Sequence, residues 1–297
     1  METKQPEIPG SPTRWQVFLR RAASASLLWG ALLAALFYPD PRLAGGVFLL
    51  LMILLNYSGL SEFYTLMSRA GHHAYRSPGQ ACVLLLTLGV FYFTAYRDKP
   101  GDALAFEVLW VAVSTLLIFL AHLSNPPREG SISATVLGLI YVGLMLGFIQ
   151  HIRFYNADGP WYLLLFILVT KMSDTGAYVV GSLWGRHKMV PAISPGKTWE
   201  GFAGAIVFSI TAAWLVTALA PAHFQPVTRL HVMLLGALLG LGAVMGDLVE
   251  SKLKREAGMK DSGSSFPGIG GILDLLDSLL FNAPLMYLYL RLFVHGP

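Results

Sequence analysis

The sequence predicts an all-α, polytopic integral membrane protein with about nine transmembrane helices. Three observations lead there. Of 297 residues, 55% are hydrophobic and 13% charged, with a mean hydropathy of +0.57, whereas a soluble domain carries about 25% charged residues. Apolar runs long enough to cross a bilayer, about 20 residues each, recur along the whole length. The basic residues divide unevenly between alternate loops. Backbone groups in lipid must be satisfied within their own segment, so these runs are read as helices. A barrel would show short segments of strict alternation, and none occur.

The runs fall at 22–38, 43–62, 80–96, 103–123, 131–150, 160–183, 200–220, 230–250 and 273–294. The first follows Arg14, Arg20 and Arg21, as a signal peptide would. No A-x-A-like site follows it closely, and it exits through Tyr38-Pro39-Asp40-Pro41, which predicts an uncleaved span. Spans one to four carry few charges, with Glu62 and Glu107 near span ends. Asn125-Pro126-Pro127-Arg128 marks an internal boundary. It separates an N-terminal transmembrane scaffold, 1–125, from a C-terminal region, 126–297, that holds the polar motifs. The sixth span contains Lys171 and Asp174. The eighth contains Gly236, Gly240, Gly242 and Gly246, two small-xxx-small pairs that predict close helix packing.

Fourteen of the 21 Lys and Arg residues lie in the loop set that includes the N-terminus, six lie in the opposite set, and Lys171 lies within a span. The positive-inside rule then predicts a cytoplasmic N-terminus. It also puts the polar stretches 186–200 and 251–272 on the cytoplasmic side of the cell membrane. The single cysteine, Cys82, excludes an intramolecular disulfide and offers no zinc cluster. A net charge of +4, spread over short loops, does not suggest nucleic-acid binding.

Three polar constellations stand out. A charge at mid-membrane costs roughly 2.5–3.5 kcal/mol on insertion scales, so each needs a reason. The first is Lys171-Met172-Ser173-Asp174-Thr175, where a Lys–Asp pair at i, i+3 could simply tie the bundle together. The hydroxyls flanking Asp174 also suit a hydrated cation or a phosphate oxygen. The second is Ser194-Pro195-Gly196-Lys197-Thr198-Trp199-Glu200-Gly201. It is no P-loop, because Pro191 stands where the first glycine belongs and no strand precedes it. Ser194 or Thr198 is a candidate helix cap, and Lys197 a candidate phosphate-binding charge. In the third, Asp247, Ser251, Lys254 and Arg255 share one helical face, as do Asp274 and Asp277. Asp274 could cap the last helix, and the lysines could be anchors. Three carboxylates with a basic cluster are also what metal-assisted phosphoryl chemistry uses.

The stretch Ser251-x-Leu253-Lys254-Arg255-x4-Lys260-Asp261-x-Gly263-x2-Phe266-Pro267-x-Ile269-Gly270-Gly271-Ile272-x-Asp274-x2-Asp277 resembles the signature of the phosphatidate cytidylyltransferase (CDP-diacylglycerol synthase) family. SDTGAY at 173–178 and SPGKTWEG at 194–201 are similar to the family's other motifs, in the same order. Two positions depart. The family has His where Ile269 stands, and Arg where Leu275 stands.

The resemblance implies a multi-pass enzyme that transfers a cytidylyl group from CTP to phosphatidate. It implies Mg²⁺ held by Asp247, Asp274 and Asp277, with K⁺ as a possible second ion, and a homodimer. Lys197, Lys254 and Arg255 would meet phosphates. Ser173, Asp174, Thr175, Ser251, Lys260 and Asp261 would line the substrate site. Two alternatives remain open from the residues: a cytidylyltransferase acting on another membrane lipid phosphate, and a non-catalytic paralogue or transporter. A transporter should show paired broken helices in two related halves, and no such symmetry is visible.

Overall fold

The computed structural model describes residues 14–97, 100–124, 126, 129–225, 227–263 and 270–294. Nine long helices form among them, besides a single 3-10 turn at Pro221–His223. They are α1 (Arg14–Phe37), α2 (Pro41–Arg69), α3 (Arg76–Tyr96), α4 (Pro100–Ser124), α5 (Ser131–Arg153), α6 (Gly159–Trp184), α7 (Trp199–Leu219), α8 (Arg229–Glu256) and α9 (Ile272–Phe293). Eight are long and apolar enough to cross a membrane, and α1 adds a shorter apolar stretch, Ala23–Phe37. The all-α membrane architecture is as predicted. Many large apolar side chains, such as Leu116 and Leu120 on α4 and Val207 and Trp214 on α7, face outward, as lipid-facing surfaces do.

Several helices outrun their apolar runs. Helix α2 continues to Arg69 and α8 to Glu256. Bilayer thickness bounds the apolar run, whereas the helix continues until a local signal stops it. For α8 that signal is Gly258, whose φ of +65° is left-handed and suits glycine. The extra turns of α8 carry Ser251, Lys254 and Arg255. Helix starts follow capping chemistry. Asp40 Oδ1 accepts the Arg42 and Leu43 N–H groups, with Pro41 in the first turn. Thr198 Oγ1 accepts the Gly201 N–H at the start of α7.

One element was not expected. The segment between α6 and α7 forms a hairpin of two short antiparallel strands, β1 (Lys188–Val190) and β2 (Ser194–Thr198). The Gly-Lys-Thr triplet thus lies on a strand running directly into α7. Glu200 in the first turn of α7 closes the hairpin base, accepting the Arg186 and His187 N–H groups at 3.1 and 3.2 Å. Alternation over so few residues is too short a signal to read from sequence.

The C-terminal helices pack tightly, and the glycine pairs explain how. A Cβ on Gly236 would lie 2.7 Å from the Ile210 backbone of α7, and one on Gly246 would lie 2.6 Å from the Asp277 carbonyl of α9. Gly240 likewise abuts Ser209 of α7, and Gly242 abuts Asn282 of α9. One pair therefore brings α7 against α8, and the other brings α9 against it. Asn282, fully buried, donates from Nδ2 to Leu239 O at 2.8 Å and Thr170 Oγ1 at 3.1 Å, locking α9 to α8 and α6. Helix α9 packs against α2, α5, α6 and α8. Helix α5 contains a wider, π-type turn at Leu139–Leu144 where it meets α2 and α3. Asn125, Pro127 and Arg128, at the expected internal boundary, lie outside the described residues.

Candidate active site

The polar motifs converge at one end of the bundle. The close α8–α9 contact at Gly246 sets Asp247 beside Asp277. Ligand atoms of Asp247, Glu250 and Asp277 all lie within 4.8 Å of one another. Glu250 is fully buried, with Lys254 of the next turn as its ion-pair partner. Its Oε1 accepts no hydrogen bond among the described residues. Such a buried, unsatisfied oxygen is costly, and a cation in the cluster would satisfy it.

Two lysines reach this cluster from different elements. Lys197, at the end of β2, pairs with Asp247 Oδ2 at 2.9 Å and donates to Val244 O at 3.3 Å. Ser251 Oγ donates to Asp247 Oδ1 at 3.2 Å. Lys254 donates to Asp274 Oδ1 at 2.8 Å as well as meeting Glu250. On the α6 side, Lys171 Nζ donates to Asp174 Oδ2 at 3.3 Å, Leu275 O at 2.8 Å and Ser278 Oγ at 3.3 Å. Five carboxylates, those of Asp174, Asp247, Glu250, Asp274 and Asp277, thus share the region with the ammonium groups of Lys171, Lys197 and Lys254. The donors are all hard oxygens, the set Mg²⁺ prefers. The residues therefore fit the metal.

The predicted site residues separate into groups. Asp247, Asp277, Lys197, Lys254, Ser251 and Asp174 come together. Asp274 stands beside the carboxylate cluster, turned toward Lys254 and toward the N–H groups of Gly271 (3.0 Å) and Ser262 (3.1 Å). Arg255 is exposed and reaches back to the hairpin, donating from Nε to Ile193 O at 3.2 Å. Ser173 is fully buried and donates to Gly240 O of α8, so it joins helices instead of lining the cavity. Thr175 is exposed and bonds its own helix at Lys171 O. Lys260 and Asp261 are exposed on the loop after α8. Leu275 gives its carbonyl to Lys171. Phe266, Pro267 and Ile269 lie outside the described residues.

Sequence reasoning missed Glu250. Its spacing from Asp247, i to i+3, is a readable signal, since the two share a helical face. A cavity of about 300 Å³ opens beside the cluster, lined by Asp174, Tyr178, Ser194, Lys197, Phe202 and Asp247 among others. Its walls combine carboxylates and a lysine with apolar groups. The arrangement sets hard oxygen donors and an ammonium group side by side, the groups that a cation and a phosphate would need.

A multi-pass helical protein with a carboxylate–lysine cluster at one end of its bundle has the groups that phosphate-handling membrane enzymes use. Sequence comparison narrows the class. The profile of the Cytidylyltransferase family matches residues 19–293. A phosphatidate cytidylyltransferase of Bacillus subtilis is 36% identical over 70% of this chain and 77% of its own length. Phosphatidate cytidylyltransferases of Mycobacterium bovis and Staphylococcus epidermidis are 41% and 40% identical over 54% and 52% of this chain. Those two matches span about half of each relative, 51% and 57%. The chain belongs to the cytidylyltransferase family.

Proposed function

We propose that this chain transfers a cytidylyl group from CTP to phosphatidate, releasing CDP-diacylglycerol and pyrophosphate. The observation that supports this most is the meeting of Asp247, Glu250 and Asp277 with Lys197 and Lys254 beside a cavity open to one end of the bundle. A phosphate oxygen of phosphatidate attacks the α-phosphorus of CTP. The bond from the α-phosphorus to the bridging oxygen of the β-phosphate breaks, and that oxygen leaves with pyrophosphate. The lipid phosphate is already a nucleophile, so no covalent enzyme intermediate is needed. The protein's work is positioning and charge neutralisation.

In this reading Asp247, Glu250 and Asp277 would hold Mg²⁺, which would supply neutralisation of phosphate charge and polarisation of the phosphoryl group. Asp274 fixes Lys254, and Lys254 and Lys197 meet phosphate oxygens as point charges. Both lysines also pair with carboxylates, Lys197 with Asp247 and Lys254 with Asp274, which fixes where their charges sit. Residues 126–297 supply this chemistry, and 1–125 serve mainly as a scaffold. K⁺ as a second ion and assembly as a homodimer extend the same family reading.

Purified protein given labelled CTP, phosphatidate and Mg²⁺ should place label in the lipid phase, and omission of Mg²⁺ should abolish it. Label appearing only with a different lipid phosphate would replace the acceptor. No label with any lipid phosphate would remove the enzymatic reading. Repeating the assay without K⁺, and sizing the detergent complex by light scattering, tests the other two proposals.

The site is further read as facing the cytoplasm from the cell membrane, with a cytoplasmic N-terminus. The uneven division of basic residues supports this. In a Cys82→Ala background, Lys260→Cys should react with a membrane-impermeant maleimide in inside-out vesicles only. Labelling of intact cells would reverse the orientation and cut the site off from cytoplasmic CTP.

A further inference from the structure

Glu62 lies on α2, in the half of the chain without polar motifs, and is buried. Its Oε2 accepts the backbone N–H of Leu273 at 2.8 Å and the Ser262 hydroxyl at 3.2 Å. Leu273 is the second residue of α9. The residue preceding that helix, Gly271, has no side chain with which to cap it. Glu62 therefore supplies from another helix the acceptor oxygen that an Asp or Ser would supply locally, and its negative charge is favoured at the helix's positive end.

The contact continues into the site. Ser262 Oγ accepts the Asp274 N–H at 3.3 Å, and the Ser262 N–H donates to Asp274 Oδ2 at 3.1 Å. Asp274 in turn holds Lys254, which meets Glu250. A chain of polar contacts thus runs from Glu62 through Ser262 and Asp274 to Lys254 and the carboxylate cluster.

Two glycines of the polar loop make room for it. A Cβ on Gly263 would lie 2.5 Å from Glu62 Oε1, and one on Gly271 would lie 2.6 Å from Glu62 Oε2. Real Cβ atoms do not approach this closely, so both positions must stay small while Glu62 is in place.

We propose that Glu62 is a positioning residue for the transfer reaction: it anchors the start of α9 and the 260–263 segment, and through Ser262 sets Asp274 and Lys254. It does not touch substrate. The inference rests on the reaction proposed above, and hydrogen–deuterium exchange tests it without relying on that reaction. In Glu62→Ala, amides of 260–263 and 271–276 should exchange about tenfold faster or more, while those of α4 stay unchanged. In the lipid-labelling assay, kcat should fall by about tenfold or more, with the KM for CTP within about twofold of wild type. Glu62→Gln keeps an acceptor oxygen for both donors and should restore most of the rate and the protection.

Ser262→Ala, a smaller change on the loop, should lower kcat in the same way. Adding Glu62→Ala to it should cost little more, because both break one chain. Unchanged exchange in a folded Glu62→Ala protein would overturn the positioning role, and so would additive losses in the double variant. Faster exchange in a protein whose wild type makes no CDP-diacylglycerol would leave the anchor standing and remove the proposed reaction instead.

Discussion

Asp277→Asn and Asp247→Asn should each reduce CDP-diacylglycerol formation by about 10²–10³-fold, the scale of losing one electrostatic stabiliser of a transition state. Both carboxylates belong to the group whose ligand atoms lie within 4.8 Å of one another, and Asn keeps the shape while removing the charge. The same substitutions separate a metal site from a structural one. Without metal, three carboxylates this close repel, so Asp277→Asn should melt at or above the wild-type temperature in a chelator, whereas Asp247→Asn also gives up the ion pair with Lys197 and should melt lower than Asp277→Asn. With metal, wild type should gain stability as Mg²⁺ rises, by about 2.7 kcal/mol at a hundredfold excess over Kd, and the variants should gain far less. Equal Mg²⁺-induced shifts in wild type and variant would remove that residue from the metal site, whatever happens to activity. Asp274→Asn should keep most of the Mg²⁺-induced shift, because its oxygens are committed to Lys254 and to the N–H groups of Gly271 and Ser262.

Lys254→Met should be the most destabilising single change at the site. Lys254 is 13% exposed and pairs with Glu250, which is 0% exposed, and with Asp274. Removing one partner of a buried ion pair strands the other, at about 3–5 kcal/mol. The loss should appear as a lowered melting temperature in a chelator, where no cation can compensate Glu250. Adding Glu250→Gln removes the stranded charge, so the double variant should regain much of the stability. It should not regain activity, because both a phosphate-binding charge and a metal-binding carboxylate are then missing. A double variant as unstable as Lys254→Met would mean that packing of the lysine stem, and not its charge, holds this part of α8.

The sequence by itself determined the membrane class and the helical runs, because lipid forces each spanning segment to satisfy its own backbone. That requirement is local and writes itself into about 20 consecutive residues. It likewise exposed the glycine pairs of α8 and the shared face of Asp247, Ser251 and Lys254, since helical periodicity converts spacing into direction. What it could not decide was partner choice. Glu62 and Leu273 are 211 residues apart, and nothing in either neighbourhood announces the other. Ser173 and Asp174 are adjacent in sequence, yet one bonds α8 and the other meets Lys171 and Ser278 of α9. Asp274 and Asp277 share a face of α9, but only Asp277 enters the carboxylate cluster. These outcomes depend on which helix packs against which and how closely, and that was decided by the tertiary contacts of glycines such as Gly246 and Gly271.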